Sequence, residues 1–455
     1  MPTEVLWTVP ESGMPTFADL GLPAPVLRAL TAGGFTAPFP IQAATLPETL
    51  AGRDLLGRGE TGSGKTLAFG LALLSRLEGG RAQARRPRGL VLVPTRELAQ
   101  QVVDAVAPYA RALGLTVAAV VGGMSFNRQA ADLQRGVDLL VATPGRLTDH
   151  TTQGTCDLSA VEVTAIDEAD RMADMGFLPQ VRRILDQTPT DGQRLLFSAT
   201  LDGEVATIVR RYLHDPVTRA VASPTGQVAT MEHHLLVVDT AAKPRVVAEI
   251  AAREGRTILF VRTKHGVDKL VKVLRREGVV AGALHGGKAQ NARNRAIAEF
   301  KEGRTPVLVA TDVAARGIHV DDVSLVVHVN PPADPKDYLH RAGRTARAGE
   351  SGTVVTMVTP PERREVDRLT RLAGVRAPST QVGPGDDALA RITGARTPSG
   401  VAVAEPPKPV QNPPRRRGPS GTGRPAGGRS VSGGRSAGGR PAGGRGGPSR
   451  PRRAA

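Results

Sequence analysis

Gly59-Glu60-Thr61-Gly62-Ser63-Gly64-Lys65-Thr66 fits the pattern G-x-x-x-x-G-K-[ST], and its flanks supply the context that the pattern needs. Asp54-Leu55-Leu56-Gly57 before it is a short apolar run, and Leu67–Leu74 after it is a good helix former, so the stretch is expected to carry a strand into a helix. Gly59, Gly62 and Gly64 let the backbone curl, with Thr61 and Ser63 between them, until its N–H groups and the helix N-terminus face one anion. Lys65 adds a charge there and Thr66 a hydroxyl for Mg²⁺. The expected ligand is a nucleoside triphosphate.

Outward from this loop, apolar strands end repeatedly in polar residues. Leu90–Val93 leads into Pro94-Thr95-Arg96-Glu97-Leu98-Ala99-Gln100-Gln101, Val117–Val121 into Gly122-Gly123, and Val137–Ala142 into Thr143-Pro144-Gly145-Arg146-Leu147. Val161–Ile166 runs into Asp167-Glu168-Ala169-Asp170, and Arg194–Phe197 into Ser198-Ala199-Thr200. Strands of this kind alternating with helices predict a doubly wound α/β domain whose site lies at the strand carboxyl ends. Upstream, Gln42 offers a donor and an acceptor; on its own it reads equally as a surface amide or a helix cap, and an adenine-sized partner would need both functions.

Residues 222–227, Ala-Ser-Pro-Thr-Gly-Gln, break the pattern, and it then restarts with strand candidates at 257–261, 279–284, 306–310, 323–329 and 352–358. The expected organisation is a disordered lead over 1–14, a first domain over 15–221, a linker over 222–230, a second α/β domain over 231–378 and a low-complexity tail over 379–455. The second half has no second phosphate loop, so it is expected to meet a nucleotide from the opposite side of a cleft.

The net charge of +17 is unevenly spread: residues 406–455 hold one lysine, eleven arginines and no acid, or +12, which leaves +5 for the rest. Gly-Gly-Arg recurs at 427–429, 433–435, 438–440 and 443–445, a composition too poor in apolar groups to offset chain entropy. A disordered arm that holds nucleic-acid phosphates is expected, a solubilising tail being the plainer alternative. The tail has no Phe, Tyr or Trp, so base stacking there would fall to arginine planes. A single cysteine, Cys156, excludes an internal disulfide framework, and no segment has the apolar length to span a bilayer. A soluble cytoplasmic protein is expected, from a GC-rich genome on its 51 arginines against nine lysines.

Asp167 and Glu168 stand where a strand beside the phosphate loop would place a Mg²⁺-holding carboxylate and a base for the attacking water. An isolated Asp-Glu pair is usually solvated surface; the strand before it and the loop upstream favour the chemical reading. In His340–Arg347, Arg344 and Arg347 share one side of a helical turn and would serve as arginine fingers if aimed at a γ-phosphate, or as a basic surface turn if not.

Taken in order, these motifs closely resemble the DEAD-box RNA helicases, of the bacterial type with a basic Gly/Arg-rich tail, over about Phe17 to Val375. The four letters stand at Asp167-Glu168-Ala169-Asp170, and Phe260, Gln290 with Arg293, and Thr311–Gly317 add to the match. The resemblance implies two RecA-like doubly wound parallel-sheet domains in tandem that close on ATP, Mg²⁺ and single-stranded RNA. It implies that Phe17 stacks on adenine, that Gln42 reads its edge, that Lys65 and Thr66 hold phosphates and Mg²⁺ with Asp167, that Glu168 is the base, and that Arg344 and Arg347 are the fingers. Asp170, Ser198 and Thr200 would couple ATP state to closure. RNA phosphates and sugars would lie on Thr95, Arg96, Gly123, Thr143, Arg146, Arg262, Arg293, Thr311 and Gly317, giving RNA preference without sequence readout.

Four positions depart from the family's commonest pattern: Phe39 for Thr or Ser, Glu60 for Gln, Ala346 for Gly, and His319 for an Asp that would touch the ribose hydroxyls. A histidine would reach there through one ring nitrogen, and Asp321 is a substitute two residues on. The expected activity is ATP-dependent local unwinding of short RNA duplexes by a monomer. The rivals are an RNA clamp or chaperone held by its tail and a DNA-directed motor of the same superfamily. Ribosomal precursors and RNA-decay proteins stand open as partners.

Overall fold

A computed structural model of the chain describes residues 5–6, 13–59, 63–198, 203–220, 231–315, 320, 322–346 and 351–404. The apolar runs form parallel strands in two sheets. The first sheet contains β1 (Val5–Leu6), β2 (Leu55–Arg58), β3 (Gly89–Leu92), β4 (Val117–Val120), β5 (Leu139–Ala142), β6 (Val163–Ile166), β7 (Gln193–Ser198) and β8 (Val217–Ala220). Their order is β1-β8-β2-β7-β6-β3-β5-β4.

Successive residues of a strand point to opposite faces, and helices cover both. Leu55, Val91, Val141, Ala165, Leu195 and Phe197 join the core on one face, while Leu56, Leu90, Leu92, Leu140, Ile166 and Leu196 join that on the other. This double burial is why the strands read as continuous apolar runs. The helix Lys65–Arg76, which follows the phosphate loop, lies close against the helix Arg96–Ala112. A Cβ on Gly70 would come within 2.5 Å of Val106 Cγ1, so that approach requires a glycine.

The second sheet contains β9 (Met231–Val237), β10 (Arg256–Phe260), β11 (Ala281–Leu284), β12 (Val307–Ala310), β13 (Val323–His328), β14 (Gly352–Val358) and β15 (Ser379–Gln381). The order is β11-β12-β10-β13-β14-β9-β15. Leu259, Val309, Val327 and Met357 pack on one face, and Ile258, Phe260, Leu308 and Val354 on the other. Two RecA-like sheets thus stand in tandem.

Three expectations of organisation change. β1 pairs with β8 through Val5–Arg219 and Leu6–Ala220, so the lead is not wholly unstructured. β9, absent from the strand candidates, lies between β14 and β15; after Met231 it carries the polar residues Glu232, His233 and His234, which hide its character. The fold also continues past 378, through β15 and the helix Asp387–Thr393 to Ala404. Val382 and Leu389 are buried in the core there, Gly385 N–H donates to Glu249 Oε2 at 2.8 Å, and Arg253 Nε donates to the Thr393 carbonyl at 2.7 Å. These anchors tie a segment of tail-like composition to the domain. The expected linker 222–230 and the tail from 405 onward lie outside the described residues. No described helix is long and apolar enough to cross a membrane.

Candidate active site

The strand order sorts the predicted residues into two groups along one edge of the first sheet. β2, β7 and β6 are neighbours, and their carboxyl ends carry the phosphate loop, Ser198 and Asp167. Alongside, β3, β5 and β4 end at Thr95, Thr143 and Gly123. A triphosphate group and a polynucleotide group thus share one carboxyl edge.

In the first group Gly64 has φ 88°, and a Cβ there would lie 2.7 Å from Gln42 Nε2 and 3.1 Å from Phe39 Cδ2. The loop is held from behind by Gln42, whose Nε2 donates to the Gly64 carbonyl at 3.0 Å and whose Oε1 accepts from Phe39 N–H at 2.9 Å. Among the described residues each half of the amide keeps one further hydrogen-bonding position. Lys65 is buried and donates to the Gly59 carbonyl at 2.6 Å; Ser63 and Thr66 are half-buried at the start of the helix. Phe17, expected to stack on a base, is 4% exposed and belongs to the core, whereas Phe39 is 46% exposed beside the loop.

Asp167 is buried, with its Oδ1 accepting from Glu168 N–H at 2.9 Å. Burial pushes its carboxyl up to about 6, against the pull of Lys65. A buried carboxylate of this kind, with a threonine hydroxyl on the adjoining helix turn, offers the hard oxygen donors that Mg²⁺ takes. Glu168 sits at φ 52°, a left-handed conformation uncommon for a residue with a side chain. Arg171 holds its carboxylate, Nη1 standing 3.1 Å from Oε2, with both side chains almost fully buried. The Asp170 N–H donates to Ser198 Oγ at 3.3 Å, the expected link between these two elements.

In the second group, Thr95 caps the helix Arg96–Ala112, its Oγ1 accepting from Leu98 N–H at 3.2 Å. Thr143 is the buried N-cap of the helix Pro144–Thr152. Arg146 donates to the Met124 carbonyl at 3.0 Å and to Gln129 Oε1 at 2.9 Å. Gly123 has φ 73°, and a Cβ on it would collide with the Arg96 guanidinium.

Contacts across the two sheets join this edge to the second half. Arg96 Nη1 donates to Gln290 Oε1 at 3.0 Å, and Gln290 Nε2 to Glu97 Oε1 at 2.8 Å. Arg293, expected on RNA, pairs with Glu97 at 2.9 Å, both side chains being 6% exposed or less. Lys336 reaches Asp174 at 3.1 Å and Asp170 at 3.9 Å. Arg171 lines one cavity with Asp337, His340 and Arg344, which brings the expected finger to the element carrying Glu168. Arg341 clamps Asp312 from Nε and Nη2 at 2.6 and 2.9 Å, fixing the start of the segment after Thr311. Thr311 is buried, its N–H bonded to the Leu284 carbonyl at 3.2 Å; Arg262 is exposed at the end of β10. Ala346 has φ 53°, which accounts for the preference for glycine there.

Sequence reasoning missed Glu97, Arg171, Asp312 and Arg341 as members of the site. Glu97 and Arg171 lie inside or beside quoted motifs, yet as charged helix residues they read as solvated surface. Glu60, Thr61, Gly62, Thr200, Gly317, His319, Asp321 and Arg347 lie outside the described residues.

The comparisons agree with this geometry. The DEAD/DEAH box helicase family matches residues 39–208, and the helicase conserved C-terminal domain matches residues 242–349. The ATP-dependent RNA helicase RhlB of Pseudomonas syringae pv. tomato is 40% identical over 356 residues, covering 76% of this chain and 90% of its own. DEAD-box ATP-dependent RNA helicase 30 of Arabidopsis thaliana is 41% identical, over 81% of this chain and 64% of its own. The pre-mRNA-processing ATP-dependent RNA helicase PRP5 of Mycosarcoma maydis is 38% identical over 85% of this chain but only 34% of its own, so the chain spans about a third of that relative. Among solved structures, S. cerevisiae Dbp5 bound to RNA and ADP BeF3 superposes with a TM-score of 0.74 at 30% identity, covering 83% of this chain and 98% of that one. The chain belongs to the DEAD-box RNA helicases, enzymes of superfamily 2.

Proposed function

We propose that this protein is an RNA-dependent ATPase that couples ATP binding and hydrolysis to RNA binding and melts short RNA duplexes locally. The carrying observation is the contact of Glu97, at the RNA edge of the first sheet, with Arg293 and Gln290 of the second half, formed on the same edge that holds the phosphate loop and Asp167. Closing the two halves therefore completes both groups together. A strand gripped in the closed form is bent away from its complement, and reopening after product release resets the cycle.

In this reading Lys65 and the loop amides bind the triphosphate, and Thr66 and Asp167 would hold Mg²⁺, which supplies charge neutralisation at the phosphates. Gln42 reads the adenine edge with the hydrogen-bonding positions its loop contacts leave over, and Phe17 backs the base from the core. Glu168 orients and deprotonates the attacking water, positioned by Arg171, and Arg344 with Arg347 meets developing charge. Asp170, Ser198 and Thr200 transmit nucleotide state to closure. Thr95, Arg96, Gly123, Thr143, Arg146, Arg262, Thr311 and Gly317 contact RNA backbone, while Arg293 acts through Glu97. The protein works as a cytoplasmic monomer, and the basic tail is an accessory tether.

The test is displacement of a short RNA strand with ATP, beside matched DNA and beside Lys65→Ala. Displacement confined to RNA and lost in the variant supports the reading; ATP-independent displacement that Lys65→Ala leaves intact sinks it. That second outcome would favour an RNA clamp or chaperone, the reading suggested by the +12 carried by residues 406–455.

A further inference from the structure

The helix Lys264–Arg276 packs on β11 and β12 by Val267 and Leu274, which are buried. Its opposite face presents His265, Lys269, Lys272 and Arg276, all exposed, at successive spacings of four, three and four residues. At 1.5 Å per residue they form a stripe about 16 Å long. Among the described residues none of the four makes an ion pair or a side-chain hydrogen bond. Asp268, the carboxylate within the helix, is already taken by Lys288 at 2.8 Å and His285 at 3.1 Å, and Glu277 lies half-buried beyond the far end. Some other surface arginines are compensated, as Arg304 by Glu299 and Glu302 and Arg396 by Glu254. Lys269, Lys272 and Arg276 therefore carry positive charge without a counter-charge among the described residues, locked in line by a helix.

Its two ends are informative. At the N-terminal end Arg262 is exposed where β10 finishes, on the edge proposed to hold RNA. At the other end Arg275 accepts Val403 N–H at its carbonyl at 2.8 Å and donates from Nη1 to the Ala404 carbonyl at 3.1 Å. The +12 segment of the sequence begins two residues later, at Pro406.

We propose that His265, Lys269, Lys272 and Arg276 form a second RNA-binding surface, which holds the phosphate backbone of the segment flanking the strand in the cleft. It leads RNA from Arg262 toward the start of the basic tail. The match is one of charge and shape: a straight row of three cations, with a histidine at its head, suits a phosphate backbone of any sequence. The proposal rests on the RNA reading above.

The test compares the full chain with a Lys269→Ala/Lys272→Ala/Arg276→Ala variant, on strands of about 6 and about 20 nucleotides, lengths below and above one site. On the long strand the variant should bind about five- to tenfold more weakly near 0.1 M salt, with a salt slope shallower by about 2, or ~0.7 for each lost phosphate contact. Short-strand affinity and the ATPase rate that the short strand stimulates should be unchanged, and Lys269→Arg/Lys272→Arg/Arg276→Lys should restore the long-strand slope. Unchanged affinity and slope on the long strand would overturn the proposal, leaving a solvated face. Equal losses on both lengths would overturn it too, because the stripe would then belong to the cleft. Failure of the RNA reading itself shows differently, as wild-type protein whose ATPase no strand stimulates.

Discussion

Glu97→Ala is the sharpest perturbation of closure. In the closed arrangement its carboxylate receives Arg293 at 2.9 Å and Gln290 at 2.8 Å, and Arg293 Nε is buried with no hydrogen-bond partner among the described residues. Removing the glutamate leaves a buried guanidinium without its counter-charge, and breaking one partner of a buried pair costs about 3–5 kcal/mol. The cost falls on closure and not on folding, since separating the halves returns both side chains to water. The closed population should fall by about 10²- to 10³-fold, as each 1.4 kcal/mol is a factor of ten. Fluorescence transfer between dyes on the two halves, with ATP and RNA present, would report it. The expected result is loss of the high-transfer state, with RNA-stimulated hydrolysis falling in parallel and the thermal midpoint hardly moved. Wild-type transfer in Glu97→Ala, or strict additivity of Glu97→Ala and Arg293→Ala in a double-mutant cycle, would refute the reasoning.

Further outcomes follow from packing and charge. Gly70→Ala should lower stability by about 1–3 kcal/mol in denaturant unfolding, because the new methyl meets Val106 in a filled core. Ala346→Gly should raise stability by about 0.5–1 kcal/mol in the same assay, relieving the φ of 53°. Burial and the neighbouring His234 push His233 down to about 4, so the unfolded chain binds the extra proton between about pH 4 and 6.5. Stability should therefore fall as pH drops through that window, by up to about 3 kcal/mol, and His233→Gln should flatten the profile. A chain ending at Pro378 strips Val382 and Leu389 from the core at about 1.5–3 kcal/mol for each side chain lost, whereas one ending at Glu405 should unfold with the wild-type midpoint.

The sequence disclosed what local burial dictates. Strands such as Leu90–Val93 and Val161–Ile166 are covered on both faces, so they stand out as apolar runs, and the polar residues after them mark the carboxyl edge. Where burial is uneven the signal fades: Met231–Val237 carries Glu232, His233 and His234 near its start, of which only His233 is buried, and Ser379–Gln381 is an edge strand with no buried residue. The ordered segment to Ala404 looks like a tail in composition because its anchors, Glu249 and Arg253, sit far away in the chain. Pairings at long range are hidden for the same reason. Glu97 and Arg293 carry no mark of their partnership, and Arg171, next to the Asp-Glu-Ala-Asp motif, gives no sign that it is buried on Glu168.

Steady-state ATP hydrolysis with and without single-stranded RNA, run beside Glu168→Gln and beside a chain ending at Glu405, tests the central claim most directly. RNA stimulation in the full chain, loss of turnover in Glu168→Gln and retained stimulation in the shortened chain are the predicted results. Tight RNA binding with no stimulation, or turnover that survives Glu168→Gln, would contradict it.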